Sequence, residues 1–139
     1  MKEFLLVLLF LIVFAIVGTI ELVPEERPIR EQVQDYIEHC GIVHADVVMK
    51  QAVLETGNFN SRLFTEDNNL FGMKYAYNRP TTAIGMNDNG SAIYHNWQHS
   101  VIDYMLFQQK YYKGGDYYKF LKRCYAEDTL YTRKLRRTK

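Results

Sequence analysis

The sequence is poor in the residues that hold small exported domains together covalently or through metals. It has two cysteines, Cys40 and Cys124, and three prolines among 139 residues. Two cysteines allow one disulfide at most, which would require the first helix of the domain to touch a late one. Their spacing matches no zinc site. We therefore expect a domain stabilised by its hydrophobic core, with no cofactor and no bound metal.

Net charge is nearly absent as well. The chain has 17 Lys and Arg against 16 Asp and Glu, and no nucleic-acid motif accompanies its basic residues, so we expect no nucleic-acid partner. The balance conceals an asymmetry, because residues 110–139 contain 10 Lys and Arg but only 3 Asp and Glu. The closing basic run, residues 133–139, is typical of a solvated helix end. Its alternative role is to hold an anionic wall polymer or a lipid surface.

A long apolar run occupies the N-terminus. Residues 4–17 are all apolar, and with residues 18–23 the run approaches the about 20 residues that span a bilayer. We expect residues 1–23 to be an uncleaved signal anchor, since no small-x-small cleavage site follows; a cleaved signal peptide is the alternative. Lys2 predicts a cytoplasmic N-terminus. Either alternative places the domain outside the cytoplasmic membrane, periplasmic or extracellular, and secreted if the segment is cleaved.

After the apolar run, the pattern predicts a proline-containing linker over residues 24–29 and one domain over residues 30–139. Apolar residues at helical spacing predict a first helix over residues 29–39. Two short extended pieces, residues 81–84 and 91–94, flank an Asn-Asp-Asn-Gly sequence that predicts a hairpin turn. Three later helices are predicted: one capped by Asn96, then residues 117–125 and residues 129–136.

The most informative stretch is the helix that precedes Glu55. Residues 45–54 are apolar nearly all round, which predicts a buried helix, and Gly57 stands just past its end. Glu55 is therefore expected in the last turn, where the negative end of the helix dipole disfavours an anion. Burial disfavours the charged form too. Both effects predict a carboxyl that keeps its proton near neutral pH, as a general acid must; the alternative is a helix-end residue that points at water.

Four ordered blocks resemble the glucosaminidase domain of peptidoglycan hydrolases (glycoside hydrolase family 73). The first is Leu-Glu-Thr-Gly at residues 54–57, and the second is Asn-Asn-Leu-Phe-Gly-Met-Lys at residues 68–74. The third is Tyr-His-Asn-Trp-Gln-His-Ser-Val-Ile-Asp-Tyr at residues 94–104. The fourth runs from Tyr-Ala-Glu-Asp through Tyr131 to Lys-Leu, within residues 125–135. Together they cover nearly the whole chain after the apolar run.

The resemblance implies a fold and a site. The fold would be mostly α (α+β), a lysozyme-like helical domain with a small β-hairpin lobe, preceded by the N-terminal hydrophobic helix. The cleft would be lined by residues 68–74 and by the start of the following helix. Asn69, Phe71, Lys74 and Trp97 would then bind substrate. For Asn69, a purely structural role in pinning a turn is an equal alternative.

Glycoside hydrolysis normally uses two carboxyl groups, and the second is hard to find here. In the predicted β-lobe only Asp88 is acidic, and it lies in a turn where Asp commonly serves the backbone. We therefore favour a single acid, Glu55, with the substrate's 2-acetamido group, or a water held by Tyr94 and Asn69, attacking the anomeric carbon. Tyr94 could also stabilise charge through its hydroxyl, or simply pack. Asp88 remains the candidate second carboxylate.

Two metal sites can be considered and set aside. His95 and His99 have the i, i+4 spacing of zinc ligands on a helix, but His95 precedes the helix cap and no acidic ligand stands near. The Asn-Asp-Asn-Gly turn lacks the later Glu of a calcium loop. We expect neither to bind metal.

The sequence thus predicts a peptidoglycan hydrolase that cleaves the glycan strand, as an endo-β-N-acetylglucosaminidase with Glu55 as its acid. A muramidase or a lytic transglycosylase on the same fold is an alternative. So is a catalytically silent wall-binding module, which the missing second carboxylate favours. The expected partners are the glycan strand and the membrane, the latter through residues 4–23, and the protein is expected to act as a monomer.

Overall fold

A computed structural model describes residues 26–125 and 130–139. The predicted N-terminal hydrophobic helix lies outside these residues. Within them, no helix has the length and apolar character that a membrane span requires.

The described residues are mostly helical, as predicted, with a small antiparallel sheet. In chain order the elements are α1 (Ile29–His39), α2 (Ala45–Glu55), α3 (Arg62–Thr65), β1 (Gly85–Met86), β2 (Ala92–Ile93), α4 (Trp97–Tyr111), α5 (Tyr117–Cys124) and α6 (Tyr131–Arg137). The strands are shorter than the extended pieces predicted from sequence. The first extended piece was predicted over residues 81–84, but the strand observed there, β1, begins after it, at Gly85, which pairs with Ile93.

Helix α2 lies at the centre of the domain. It packs against α1 on one side and against α6 on another, while α1 also contacts α4. Five of its eleven residues are buried, including Val48 and Ala52, which are fully inaccessible. This confirms the buried helix that the all-round apolar pattern predicts; the last three residues of α2, residues 53–55, are half-buried.

The local signals that bound the helices act as expected. Pro28 precedes α1, Gly41 follows it with a φ of +66°, and the Asn96 side chain accepts a 3.0 Å hydrogen bond from the His99 amide at the start of α4. Cys40 and Cys124 are both free thiols, so the disulfide considered above does not form.

The basic C-terminal region consists of α5 and α6, which pack against each other through apolar faces. Tyr131 and Leu135 are buried, whereas the basic side chains of α6 are exposed. Arg136 lies over the ring of Tyr118, 3.8 Å from its centroid, and so joins the two helices.

A buried ion pair connects the β-lobe to α4. The Arg79 guanidinium donates to both carboxylate oxygens of Asp103, at 2.6 and 3.1 Å, and the Tyr94 hydroxyl donates to the same carboxylate at 2.7 Å. The side chains of Arg79 and Asp103 are 4% and 0% exposed. Removal of only one partner of such a pair strongly destabilises the fold, because the remaining charge stays buried without a partner.

We therefore expect Arg79→Met to lower the free energy of unfolding by about 3–5 kcal/mol, as removal of one partner of a buried pair usually does. The matched control is Arg62→Met, which breaks an ion pair with Glu66 whose side chains are 87% and 57% exposed and should change stability little. Urea denaturation followed by circular dichroism measures both. Equal losses in the two variants would contradict this account of the β-lobe.

Candidate active site

The end of α2 is fixed by Thr56, which is fully buried. Its hydroxyl donates to the Ala52 carbonyl at 2.6 Å and accepts from the Phe59 amide at 2.8 Å. Gly57, Asn58 and Phe59 then follow with φ of +55°, +59° and +65°. Two of these left-handed residues are not glycine, so the tight turn is held against local backbone preference. The turn stops the helix at Glu55, as the sequence predicted, and leaves the Glu55 side chain half-buried.

Gly72 lies directly beside the Glu55 carboxyl. A Cβ atom built on Gly72 would stand 3.0 Å from Glu55 Oε2 and 3.9 Å from the Leu63 side chain. A real Cβ would have to displace the carboxyl at that distance. Gly72 also has a φ of +63°, so glycine is required there for its backbone as well. The glycine of the second sequence block therefore leaves open the space next to Oε2.

The carboxyl of Glu55 receives a hydrogen bond from the hydroxyl of Tyr131 on α6. Burial raises the pKa of Glu55, and the bond from Tyr131 offsets part of this because it stabilises the carboxylate. Burial also raises the pKa of Tyr131, which therefore keeps its proton and acts as a donor. The Tyr131 oxygen in turn accepts a 3.1 Å bond from the amide of Gln51, one helical turn before Glu55.

Asn69 does not face a groove. It is fully buried; its side-chain amide donates to the carbonyls of Met73 and Ala92 at 3.0 and 2.9 Å. Its oxygen accepts from the amides of Phe71 and Met73 at 3.3 and 3.0 Å. All of these partners are backbone groups, so the structure supports the turn-pinning alternative. Asn69 holds the loop that carries Gly72 against strand β2.

Two aromatic residues predicted at the site are also placed elsewhere. Phe71 is fully buried and packs against the ring of Tyr104, with centroids 4.6 Å apart. Tyr94 is 1% exposed, and its hydroxyl is bonded to Asp103. The burial of both rings gives no support to the expectation that Phe71 binds sugar and that Tyr94 lines the groove, and these roles stay predictions. Both rings are in the core because apolar burial outweighs any advantage of exposure.

Trp97 lies on another side of the domain. It is half-buried, contacts Tyr36 of α1 edge to face with centroids 5.5 Å apart, and borders a cavity of about 410 Å³ that also involves Arg27 and His39. None of the residues lining that cavity is among the described contacts of Glu55. Trp97 is thus not brought together with the carboxyl.

One cavity borders Gly72 and another borders Leu63, which approaches Gly72; Glu55 itself lines neither of the two. One, of about 210 Å³, is bordered by Gly72 itself and by Lys74, Arg79 and Tyr125. Lys74 is exposed and donates to the Asn89 carbonyl at 2.9 Å, so it ties the β-lobe together at the edge of this cavity. A substrate role for Lys74 stays a prediction.

The other cavity, of about 450 Å³, begins at Leu63, which also approaches Gly72. It is lined by acidic and amide side chains, including Asp67 and Asp88. Asp88 lies in the predicted hairpin turn, which is closed by the Asn87 side chain as it accepts from the amides of Asn89 and Ser91, both at 3.0 Å. Asp88 therefore borders the same cavity as Leu63, and its chemical role stays a prediction.

The contacts of Tyr131 with Glu55 and with Gln51 were not predicted from the sequence. Tyr131 belongs to the fourth resembling block. Because it lies far from Glu55 in the sequence, no local pattern predicts that the two side chains meet. Gln51 stands one turn before Glu55 on the same helix, and that i, i+4 spacing was a usable signal.

The arrangement is suited to proton donation. Glu55 is a carboxyl with a raised pKa beside Gly72, which has no side chain, and Tyr131 is placed to stabilise the carboxylate that remains after the proton leaves. In the described residues no group of three or more His, Cys, Asp or Glu side chains could hold a metal ion.

Comparison with known proteins agrees with this reading. The chain matches the model of the Glucosaminidase family, described as mannosyl-glycoprotein endo-beta-N-acetylglucosaminidase, over residues 30–138. No curated protein matches the sequence significantly.

The Glu55–Gly72 contact can be tested with a pair of glycine substitutions. Gly72→Ala and Gly41→Ala both place an alanine at a φ near +65°, but a Cβ at Gly41 meets nothing within 4 Å. We expect both to lose about 1–2 kcal/mol of stability from backbone strain. Only Gly72→Ala should also lose glycan hydrolysis, because its methyl group displaces the carboxyl. Equal activity in the two variants would show that the space beside Oε2 is not used.

Proposed function

The chain belongs to the glucosaminidase family of glycoside hydrolases, and on that premise we propose that it cleaves the glycan strand of peptidoglycan at the N-acetylglucosaminyl bond. The observation that carries this proposal is the carboxyl of Glu55. It is half-buried at the end of a buried helix, its pKa is raised by that burial, and its Oε2 lies beside Gly72, which has no side chain.

In the proposed reaction Glu55 gives its proton to the glycosidic oxygen as the bond to the anomeric carbon breaks. The carbonyl oxygen of the substrate's 2-acetamido group attacks that carbon and forms a cyclic oxazolinium intermediate. Water then opens the intermediate and restores the acetamido group, and its released proton returns to the Glu55 carboxylate. Substrate assistance of this kind needs a single protein carboxyl and is a known exception to the two-carboxylate rule.

Tyr131 supports both halves of this cycle. When the carboxyl has lost its proton, the Tyr131 hydroxyl donates to the charged form; when the carboxyl is protonated, burial favours the neutral form. Because these two effects oppose each other, Glu55 can both release its proton and take one back. A group that acts first as acid and then as base requires this.

Asp88 is the candidate for a two-carboxylate variant of the mechanism. Its turn lines a cavity that Leu63 also borders, and Leu63 approaches Gly72, which lies beside the Glu55 carboxyl. In that variant Asp88 would activate water or attack the anomeric carbon in place of the acetamido group. The same cavity also fits the second candidate function, a silent module that binds the glycan strand without cutting it.

The substrate lies outside the cytoplasmic membrane. The apolar run over residues 4–23 would deliver the domain there, as an anchor or as a cleaved signal, which agrees with the proposed activity.

The direct test compares the full chain with Glu55→Gln on purified peptidoglycan. Loss of a positioned general acid should lower the rate of glycan release by about 10²–10⁴-fold while the circular dichroism spectrum stays unchanged. The matched control, Glu38→Gln, alters an exposed residue of α1 that is bonded to Gln34 and should keep full activity.

Mass spectrometry of the released fragments identifies the bond. N-acetylglucosamine at the new reducing end supports a glucosaminidase, whereas N-acetylmuramic acid or its 1,6-anhydro form supports a muramidase or a lytic transglycosylase. Binding to peptidoglycan with no fragments from the wild-type chain would overturn the hydrolase proposal and favour the silent module.

A further inference from the structure

A line of buried hydrogen bonds leads from Glu55 into the core. Beyond Tyr131 it passes to Gln51, whose side-chain oxygen accepts from the hydroxyl of Tyr104 on α4. The Tyr104 hydroxyl is 2.7 Å from that of Tyr117 on α5, and the Tyr117 oxygen accepts a 2.8 Å bond from the amide of Gln108.

The far end of this line is held by backbone. The Gln108 amide nitrogen donates to the Val43 carbonyl, and its oxygen accepts from the Val43 amide, both at 2.9 Å. This two-bond contact determines which end of the Gln108 amide carries the hydrogens, so Gln108 must donate to Tyr117 and cannot accept from it.

The direction of each following bond can be deduced from donor and acceptor numbers. A tyrosine hydroxyl has one hydrogen. Tyr104 gives its hydrogen to Gln51, so the hydrogen between Tyr104 and Tyr117 comes from Tyr117. Because the Gln51 oxygen is taken by Tyr104, its NH₂ group faces Tyr131, and the single hydrogen of Tyr131 is left for Glu55.

Water cannot easily replace any of these partners. Gln51 and Tyr104 are fully buried, and Tyr117, Gln108 and Tyr131 are 3%, 6% and 9% exposed. Burial raises the pKa of both Tyr104 and Tyr117, so both hydroxyls keep their hydrogens. An unpaired amide or hydroxyl in this region would be costly, which makes the direction of the whole line resistant to reversal.

We propose that Tyr104 is a positioning residue for the general acid: by holding the oxygen of the Gln51 amide, it orients the Tyr131 hydroxyl toward Glu55. This inference rests on the proposed function of Glu55 and adds a residue that touches neither substrate nor carboxyl. Without Tyr104, the Gln51 amide is free to rotate by half a turn. Its oxygen then faces Tyr131, takes the hydrogen of that hydroxyl, and leaves the Glu55 carboxylate without its donor.

The groups that face Glu55 decide the sign of the effect. Among the described residues, the titratable groups that interact with this carboxyl are Tyr131 of α6 and Tyr125, which directly follows α5, and Gly72 lies beside it. The described titratable neighbours are thus tyrosines, and Tyr131 is the one that donates to the carboxyl. Loss of that donation removes the interaction that favours the carboxylate, so the carboxyl should hold its proton to higher pH.

The test is Tyr104→Phe in the full chain, with Glu55 followed by NMR through its ¹³C-labelled side-chain carboxyl. We expect the ionisation constant of Glu55 to fall about tenfold, the size of effect typical for loss of a hydrogen bond to a charged group. In hydrolysis assays the high-pH limb of the kcat/KM profile should move to higher pH by the amount that corresponds to this tenfold change in the ionisation constant.

The matched control is Tyr117→Phe. It removes a buried hydroxyl from the same line but leaves Tyr104 able to donate to Gln51, so the Glu55 titration should stay close to that of the wild type. A second control repeats Tyr104→Phe in a Tyr131→Phe background, where the hydroxyl that carries the effect is absent and no further shift should occur.

Each outcome has a defined meaning. An unchanged Glu55 titration in Tyr104→Phe overturns the proposal, and so does an equal shift in Tyr117→Phe or a persisting shift in the Tyr131→Phe background. The last two results would mean that general loosening of the core had moved the carboxyl. The NMR titration needs no turnover, so failure of this proposal is distinguishable from failure of the hydrolase proposal, which the peptidoglycan assay alone decides.

Discussion

The hydrogen bond between the Tyr131 hydroxyl and the Glu55 carboxyl is the interaction on which the site depends. It joins the end of α2 to the last helix of the domain, across most of the sequence. Burial pushes the carboxyl toward its neutral form, while Tyr131 favours the charged form. Other parts of the fold support this balance, because Thr56 ends α2 at Glu55 and Gly72 places no side chain against the carboxyl.

The domain holds its site with two different kinds of polar contact. Around Asn69 and Asn87, side-chain amides satisfy backbone groups and fix the two loops that border the cavities. Behind Glu55, by contrast, side chains bond to one another through the core, an arrangement that specifies orientation and tolerates little substitution. A raised carboxyl pKa is itself unfavourable for folding at neutral pH. The property that suits Glu55 to proton donation therefore lowers the stability of the folded state.

Local patterns were sufficient to predict the helices but not the positions of all site residues. The bounds of α1 and α2 followed from apolar spacing and from Gly41 and Gly57, which act within a few residues. The burial of Tyr94 was not predicted, because its hydroxyl bonds to Asp103, a partner on α4 that no local pattern identifies. The raised pKa of Glu55 could be predicted because its cause, burial, is visible in the apolar pattern of its own helix. The contact with Tyr131 depends on how α6 packs, and only the fold could reveal it.

The central claim is that folding itself makes Glu55 hold its proton, and the pH dependence of stability measures this most directly. The folded pKa of Glu55 is raised above its unfolded value of about 4.3. The wild type should therefore lose stability relative to Glu55→Gln as the pH rises above that value, at up to about 1.4 kcal/mol per pH unit until the folded carboxyl ionises. Urea denaturation of both proteins between pH 4 and 9 would show this as a growing advantage of the glutamine variant. A difference that stays constant with pH, or a wild type that gains on the variant, would contradict the account.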